Sequence, residues 1–149
     1  MNTLSEFEYD LKGLDKYAKK ISKIIKIGDI FLLKGELGVG KTTFARSLIN
    51  FLFDKNKIIR PSNIKSPSFP IMINYSLSSY EINHYDLYRL SSQNELDNLG
   101  FFEDLQKNIS IIEWPEIILN NYSISKYYLI EFKFIDKNKR FIKTKYFEK

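Results

Sequence analysis

The stretch IFLLKGELGVGKTTFARSLINFLF, residues 30–53, decides the fold. Ile30 to Leu33 form a short unbroken apolar run, the signature of a strand buried on both faces. Gly35 to Thr42 then spells G-x-x-x-x-G-K-[ST]. In that motif the glycines let the backbone curl so that successive N–H groups point inward at phosphate oxygens. From Thr42 to Phe53, the residues Phe44, Leu48, Phe51 and Leu52 mark one side of an amphipathic helix. A chain of this length matches the motif by chance on the order of once in 200. Here it also sits between a buried strand and a helix, the context in which it cradles phosphate. The segment therefore predicts an α/β fold of the P-loop NTPase kind. Lys41 would reach the β- and γ-phosphates of a nucleotide, and the Thr42 hydroxyl would take one position on Mg²⁺.

A phosphate cradle needs an acidic partner for the metal, placed at the end of a neighbouring strand. Two carboxylates qualify. Asp86 closes the run YEINHYD (80–86), and Glu113 closes ISIIE (109–113). Either or both, with Thr42, would suit an octahedral Mg²⁺ that keeps several waters. Ser66-Pro67-Ser68-Phe69 is a hydroxyl-bearing turn that could meet the terminal phosphate, although on chemistry alone it reads as an ordinary Ser-Pro turn. His84, on a strand, reads as a packed histidine rather than a catalytic one. Trp114, before Pro115, reads as a core anchor or contact residue.

Outward from this centre the chain continues in the same style. Residues 4–9 read as a short strand. Leu11, Leu14, Tyr17, Ile21, Ile24 and Ile25 recur at helical spacing across 10–25. Residues 54–68, with Pro61 and Pro67, predict a surface loop. Two strands are expected at 72–77 and 80–85, a helix interrupted by Gly100 over 93–105, and a strand at 109–112. Residues 127–135 and 140–147 read as a hairpin across Asp136 to Lys139. The expectation is one P-loop domain over 1–149, with a mixed, mainly parallel β-sheet flanked by helices and a C-terminal β-hairpin.

Composition narrows the chemistry. The 149 residues contain no cysteine and one histidine, which removes disulfides, thiolate catalysis and Cys- or His-rich metal centres. Any metal must then be held by oxygen. The N-terminal MNTLSEFEYD is polar and acidic, unlike a secretory signal, and no apolar run approaches the roughly 20 residues of a membrane span. A cytoplasmic protein is expected, with no membrane partner. Seven basic and two acidic side chains lie between 133 and 149, so the whole formal net charge of +5 resides there. Such an end could attract phosphate backbones, and a tRNA contact through it is one expectation; a solvated, lysine-rich face is the plainer reading.

Four segments together go further. Gly35–Thr43 (GELGVGKTT), Ser66–Phe69 (SPSF), His84–Leu90 (HYDLYRL) and Glu113–Glu116 (EWPE) resemble, in order and spacing, the bacterial TsaE (YjeE) family. The stretch Asn94–Gly100 (NELDNLG) fits as well. The resemblance implies an ATP-hydrolysing, Mg²⁺-dependent subunit needed to make threonylcarbamoyladenosine in tRNA next to the anticodon. Such a subunit works with TsaD and TsaB and resets that complex between rounds; DNA is not among its partners. By this resemblance Glu36, Leu37, Gly38, Val39, Gly40, Lys41, Thr42 and Thr43 form the nucleotide cradle. Lys41 acts on the phosphates, Thr42 and Glu113 on Mg²⁺, and Asp86 on metal or water. Tyr88 and Arg89 belong to the same functional segment. Ser68 stands where the family usually has Thr and keeps the hydroxyl. Arg140 matches a basic residue near the nucleotide, and residues 4–10 match the segment near the adenine.

Two other functions share the cradle. A small-molecule kinase would need an arginine-rich lid, whereas Arg46, Arg60, Arg89 and Arg140 are scattered through the chain. A nucleotide-driven clamp that hardly hydrolyses would look the same in sequence. No arginine finger is identifiable from the chain, so weak activity alone and stimulation by partners are expected.

Overall fold

The computed structural model describes residues 2–149. Seven strands form one sheet: β1 (Asn2–Tyr9), β2 (Ile30–Lys34), β3 (Met72–Ser76), β4 (Glu81–Asp86), β5 (Ile109–Glu113), β6 (Lys126–Phe134) and β7 (Arg140–Glu148). Their order across the sheet is β1-β7-β6-β2-β5-β4-β3. The four central strands are parallel, and the three antiparallel pairings lie towards the edges. The mixed sheet with a parallel centre and the β6–β7 hairpin are those expected from the sequence.

The apolar runs explain the centre. Every residue of β2 from Ile30 to Leu33 and every residue of β5 is buried, as strands covered on both faces must be. The pleat sends alternate side chains to opposite layers. Phe31 and Leu33 pack beneath α1 (Leu11–Ile24) and α2 (Lys41–Lys55). Ile30 and Leu32 pack beneath α3 (Gln93–Asp97), α4 (Phe101–Asp104) and α5 (Glu116–Asn121) through Leu96, Phe101 and Ile118.

Each long helix starts in its own way. At α1 the Asp10 carboxylate accepts from the Gly13 N–H at 2.7 Å, satisfying one orphan donor of the first turn. At α2 the cap is Gly40, left-handed at φ 118°, with no side-chain acceptor. The free N–H groups of α2 are thus left pointing at the end of β2.

Three elements differ from expectation. Residues 93–105 are two short helices rather than one, because Gly100 adopts φ +67° and turns the chain between them. Residues 116–121 form α5, too short for a helical period to stand out in the sequence. α2 also runs two residues past Phe53, so the proline-bearing loop starts later.

The first and last strands are tied to α1 by one hydroxyl. Tyr17 donates to Thr144 Oγ1 at 2.6 Å and lies 2.7 Å from Ser5 Oγ, so α1, β7 and β1 share a node. Thr144 is fully buried. Tyr17→Phe keeps the ring packing but strands that buried hydroxyl. It is expected to lower unfolding free energy by about 1–3 kcal/mol, read as a lower urea midpoint at unchanged slope.

Candidate functional site

The site forms where β2, β4 and β5 end together beneath the N-terminus of α2. The turn after β2 needs three unusual backbone conformations: Gly35 at φ 158°, Gly38 at 76° and Gly40 at 118°. A Cβ on Gly35 would lie 2.7 Å from the Phe132 carbonyl oxygen, so a larger residue there would push the turn off β6. A Cβ on Gly38 would meet nothing within 4 Å, so the loop stands clear of other atoms at that point.

Lys41 folds back over this turn. Its ammonium donates to the Gly35 carbonyl at 2.6 Å and the Glu36 carbonyl at 2.9 Å. It also lies 3.9 Å from the centre of the Trp114 ring, a cation–π contact. Burial holds the Lys41 pKa below the usual lysine value, with Glu113 and Asp86 working against that shift. Trp114 itself adopts φ +56°, a strained conformation for an aromatic residue, and packs 4.7 Å from the Tyr88 ring.

The acids come from the strands. Parallel register sets Asp86 beside Glu113, and the two-residue period puts His84 on the same face as Asp86. The buried Glu113 carboxylate accepts from Thr42 Oγ1 at 2.7 Å through one oxygen. Its other oxygen lies 2.8 Å from His84 Nε2. A carboxylate oxygen accepts, so Nε2 is the donor of this pair, and Nδ1 is buried with no hydrogen-bond partner among the described residues. Thr42 spends its donor on Glu113 and keeps lone pairs for a cation. Asp86 accepts from the Tyr88 N–H at 3.0 Å. Burial raises the Asp86 pKa above the ordinary value, and the Tyr88 N–H opposes that rise.

These groups border a cavity of roughly 390 Å³. Gly38, Gly40, Lys41, Thr42 and Thr43 lie on one side, Asp86 and Glu113 at the floor, and Ser66, Ser68, Tyr88, Arg89 and Trp114 around the rim. Exposed Leu37 borders it too. Among the described residues there is no cluster of three or more His, Cys, Asp or Glu able to cage a metal. That donor set suits Mg²⁺, which takes one or two carboxylates and leaves the remaining positions to phosphate and water. The uncapped α2 terminus, with no acid in its first turn, suits an anion.

Three of the expected nucleotide-site residues, Glu36, Val39 and Arg140, do not line this cavity. Glu36 contributes its carbonyl to Lys41. Val39 is buried, and its carbonyl accepts from the Tyr9 hydroxyl at 2.9 Å. Arg140 heads β7 beside Tyr9, its guanidinium 5.2 Å from the Phe134 ring, and does not border the cavity. Burial pushes the Tyr9 phenol up to about 12, against the lowering influence of Arg140.

Three of the seven basic side chains of the C-terminal region have acid partners. Lys143 meets Glu6 at 3.0 Å, Lys145 meets Glu131 at 2.7 Å and Lys139 lies 4.0 Å from Glu8. His84 was the residue whose place in the site sequence reasoning missed. Its signal was the HYD spacing, which puts it two residues before Asp86 and hence on the same face.

Residues 9–142 match the family described as "Threonylcarbamoyl adenosine biosynthesis protein TsaE". The tRNA threonylcarbamoyladenosine biosynthesis protein TsaE of Rickettsia felis is 41% identical over 84% of this chain and 70% of its own. The protein of that name from Rickettsia typhi is 38% identical over 90% of this chain and 89% of its own. The crystal structure of Bacillus subtilus YdiB superposes with a TM-score of 0.67, covering 97% of this chain and 86% of that one. At 22% identity it supports the fold alone. No helix among the described residues is long and apolar enough to cross a membrane.

The Asp86 environment makes a pH-dependent prediction. A carboxyl whose folded pKa is raised binds its proton more tightly in the folded state, so its ionisation weakens the fold as pH rises through the carboxylate range. Asp86→Asn keeps the acceptor for the Tyr88 N–H and removes the charge. In EDTA at neutral pH the variant should melt at a higher temperature than wild type. The gain should vanish once pH falls below the carboxylate range, as followed by circular dichroism.

Proposed function

This chain belongs to the TsaE family, and on that premise we propose that it binds and hydrolyses ATP with Mg²⁺ in support of tRNA threonylcarbamoyladenosine synthesis, acting with TsaD and TsaB. The observation that carries the reading is the junction at Glu113, where one buried carboxylate joins the motif threonine to the end of the neighbouring parallel strand. That is the arrangement a P-loop site needs to hold a metal beside a triphosphate.

In this reading the N–H groups of the turn and of the first turn of α2 take the phosphate oxygens. Lys41 exchanges the Gly35 and Glu36 carbonyls for the β- and γ-phosphates. Thr42 and Glu113 hold Mg²⁺, which when bound neutralises charge developing on the phosphates. Asp86 orders water or metal at the cavity floor, and His84 fixes the Glu113 carboxylate. Ser68, on the rim, offers its hydroxyl to the terminal phosphate. Among the described residues Arg89 is the one arginine bordering the cavity, and its guanidinium rests 5.3 Å from the Phe69 ring rather than beside Lys41. That placement supports slow turnover in isolation and faster turnover once TsaD and TsaB reshape the rim. Hydrolysis between rounds would then reset the complex.

The test is steady-state ATP hydrolysis with Mg²⁺, alone and with purified TsaD–TsaB. Wild type should be slow alone and stimulated by the partners. Lys41→Ala should lose about 100-fold or more of the stimulated rate, and Glu113→Gln should lose turnover while still binding ATP. Rates indifferent to the partners, or phosphate delivered to a small acceptor instead of water, would refute the reading.

A further inference from the structure

Three of the C-terminal lysines, Lys139, Lys143 and Lys145, pair with acids, but none of those on α1 does. Lys12, Lys16, Lys19, Lys20 and Lys23 are all exposed, and none takes part in an ion pair among the described residues. At about 100° per residue, the five fall within an arc of about 100° on the helix surface. Along the axis they span about 16 Å. Lys26, just past the helix end, is exposed as well. The opposite face is Leu14, Tyr17, Ala18 and Ile21, all buried in the core. Asp15 is the helix's sole acid, and it accepts from Ser47 at 2.9 Å on the α2 side.

We infer that this lysine face binds the phosphate backbone of RNA. Five ammonium groups with no acid partner among the described residues, of which Lys19 lies 5.8 Å from the Phe51 ring, repel one another on one face of a short helix, and a polyanion relieves that repulsion by releasing its own counterions. An acidic protein surface is a poorer occupant, because protein interfaces favour Tyr, Trp and Arg and are depleted in Lys. A membrane is poorer still. The apolar face of α1 is committed to the core, so the helix cannot lay hydrophobic side chains into a bilayer. Exposed Leu11 and Ile24 stand at opposite borders of the lysine face and form no patch within it. Lysine contacts to phosphate carry no sequence information. The face therefore positions an RNA without reading it, and the choice of tRNA rests on the function proposed above. The contact also moves away from the C-terminal strands, where Lys139, Lys143 and Lys145 are already occupied by acids.

The experiment compares two variants of equal charge change. One carries Lys16→Gln, Lys20→Gln and Lys23→Gln on α1; the other carries Lys133→Gln, Lys137→Gln and Lys149→Gln near the C-terminus. Binding of an unmodified tRNA transcript is measured by fluorescence anisotropy between 50 and about 200 mM salt, a range over which phosphate contacts weaken strongly. The α1 variant should bind at least about tenfold more weakly than wild type at low salt. Its slope of log affinity against log salt should be shallower by about 2–3. The C-terminal variant should stay within about twofold of wild type. Equal losses in both variants, unchanged binding in the α1 variant, or no binding by wild type would overturn the inference. So would wild type preferring anionic phosphatidylglycerol vesicles to tRNA. ATP hydrolysis measured on the same preparations separates the two claims: an α1 variant that hydrolyses ATP like wild type shows that any change in RNA binding is independent of the nucleotide site.

Discussion

One carboxylate holds the site together. Glu113 ends the central strand β5, and its two oxygens are claimed by a hydroxyl from α2 and an imidazole from β4. Its contact with His84 is fully buried and its contact with Thr42 partly so, which strengthens both against water. Losing either partner would leave a charge in the interior without its donor, a penalty that keeps α2 seated over the sheet. The position of α2 in turn aims its free N–H groups at the cavity and brings Lys41 over the turn. A fold stabilised by a charge at its functional centre is poised to exchange an internal partner for a ligand, because the donors and acceptors are already arranged.

Lys41 shows the same logic from the other side. Its ammonium is satisfied by two carbonyls of its own loop and by the Trp114 ring. These contacts keep a half-desolvated cation from collapsing onto Glu113 or Asp86. They are neutral partners, and phosphate oxygens would be stronger ones. Trp114 reaches that position only through a left-handed backbone conformation immediately before Pro115. Strain of this kind, of order 1–3 kcal/mol, persists when surrounding structure enforces it. Here the enforcement includes the Trp114 N–H bond to the Leu33 carbonyl at 3.2 Å.

Much of this was legible in the chain itself. The apolar runs 30–33 and 109–112 announced strands covered on both faces, and the glycines at 35, 38 and 40 announced the backbone that the turn adopts. Glu113 and Asp86 were visible as acids ending strands, and parallel register then put them side by side. What escaped depended on contacts between distant segments. His84 read as a packed histidine, which it is, yet its hydrogen bond reaches a strand 29 residues away. Trp114 gave no sign of its left-handed backbone. Helix α5, six residues long, was too short for periodicity to register. The basic C-terminal segment read as a single charged feature until the acids of β1 and β6 were seen opposite its lysines. Charge counted along a chain says little about charge left unpaired in space.

The central claim is that Lys41 leaves its internal partners for the phosphates of a nucleotide. Trp114 is the one tryptophan of the chain and lies against that ammonium, so its fluorescence reports the exchange directly. Titration with ATP in the presence of Mg²⁺ should change the emission in a saturable way, while adenosine, which has no phosphate, should leave it unaltered. Emission that is the same at every ATP concentration, or that responds equally to adenosine, would contradict the account.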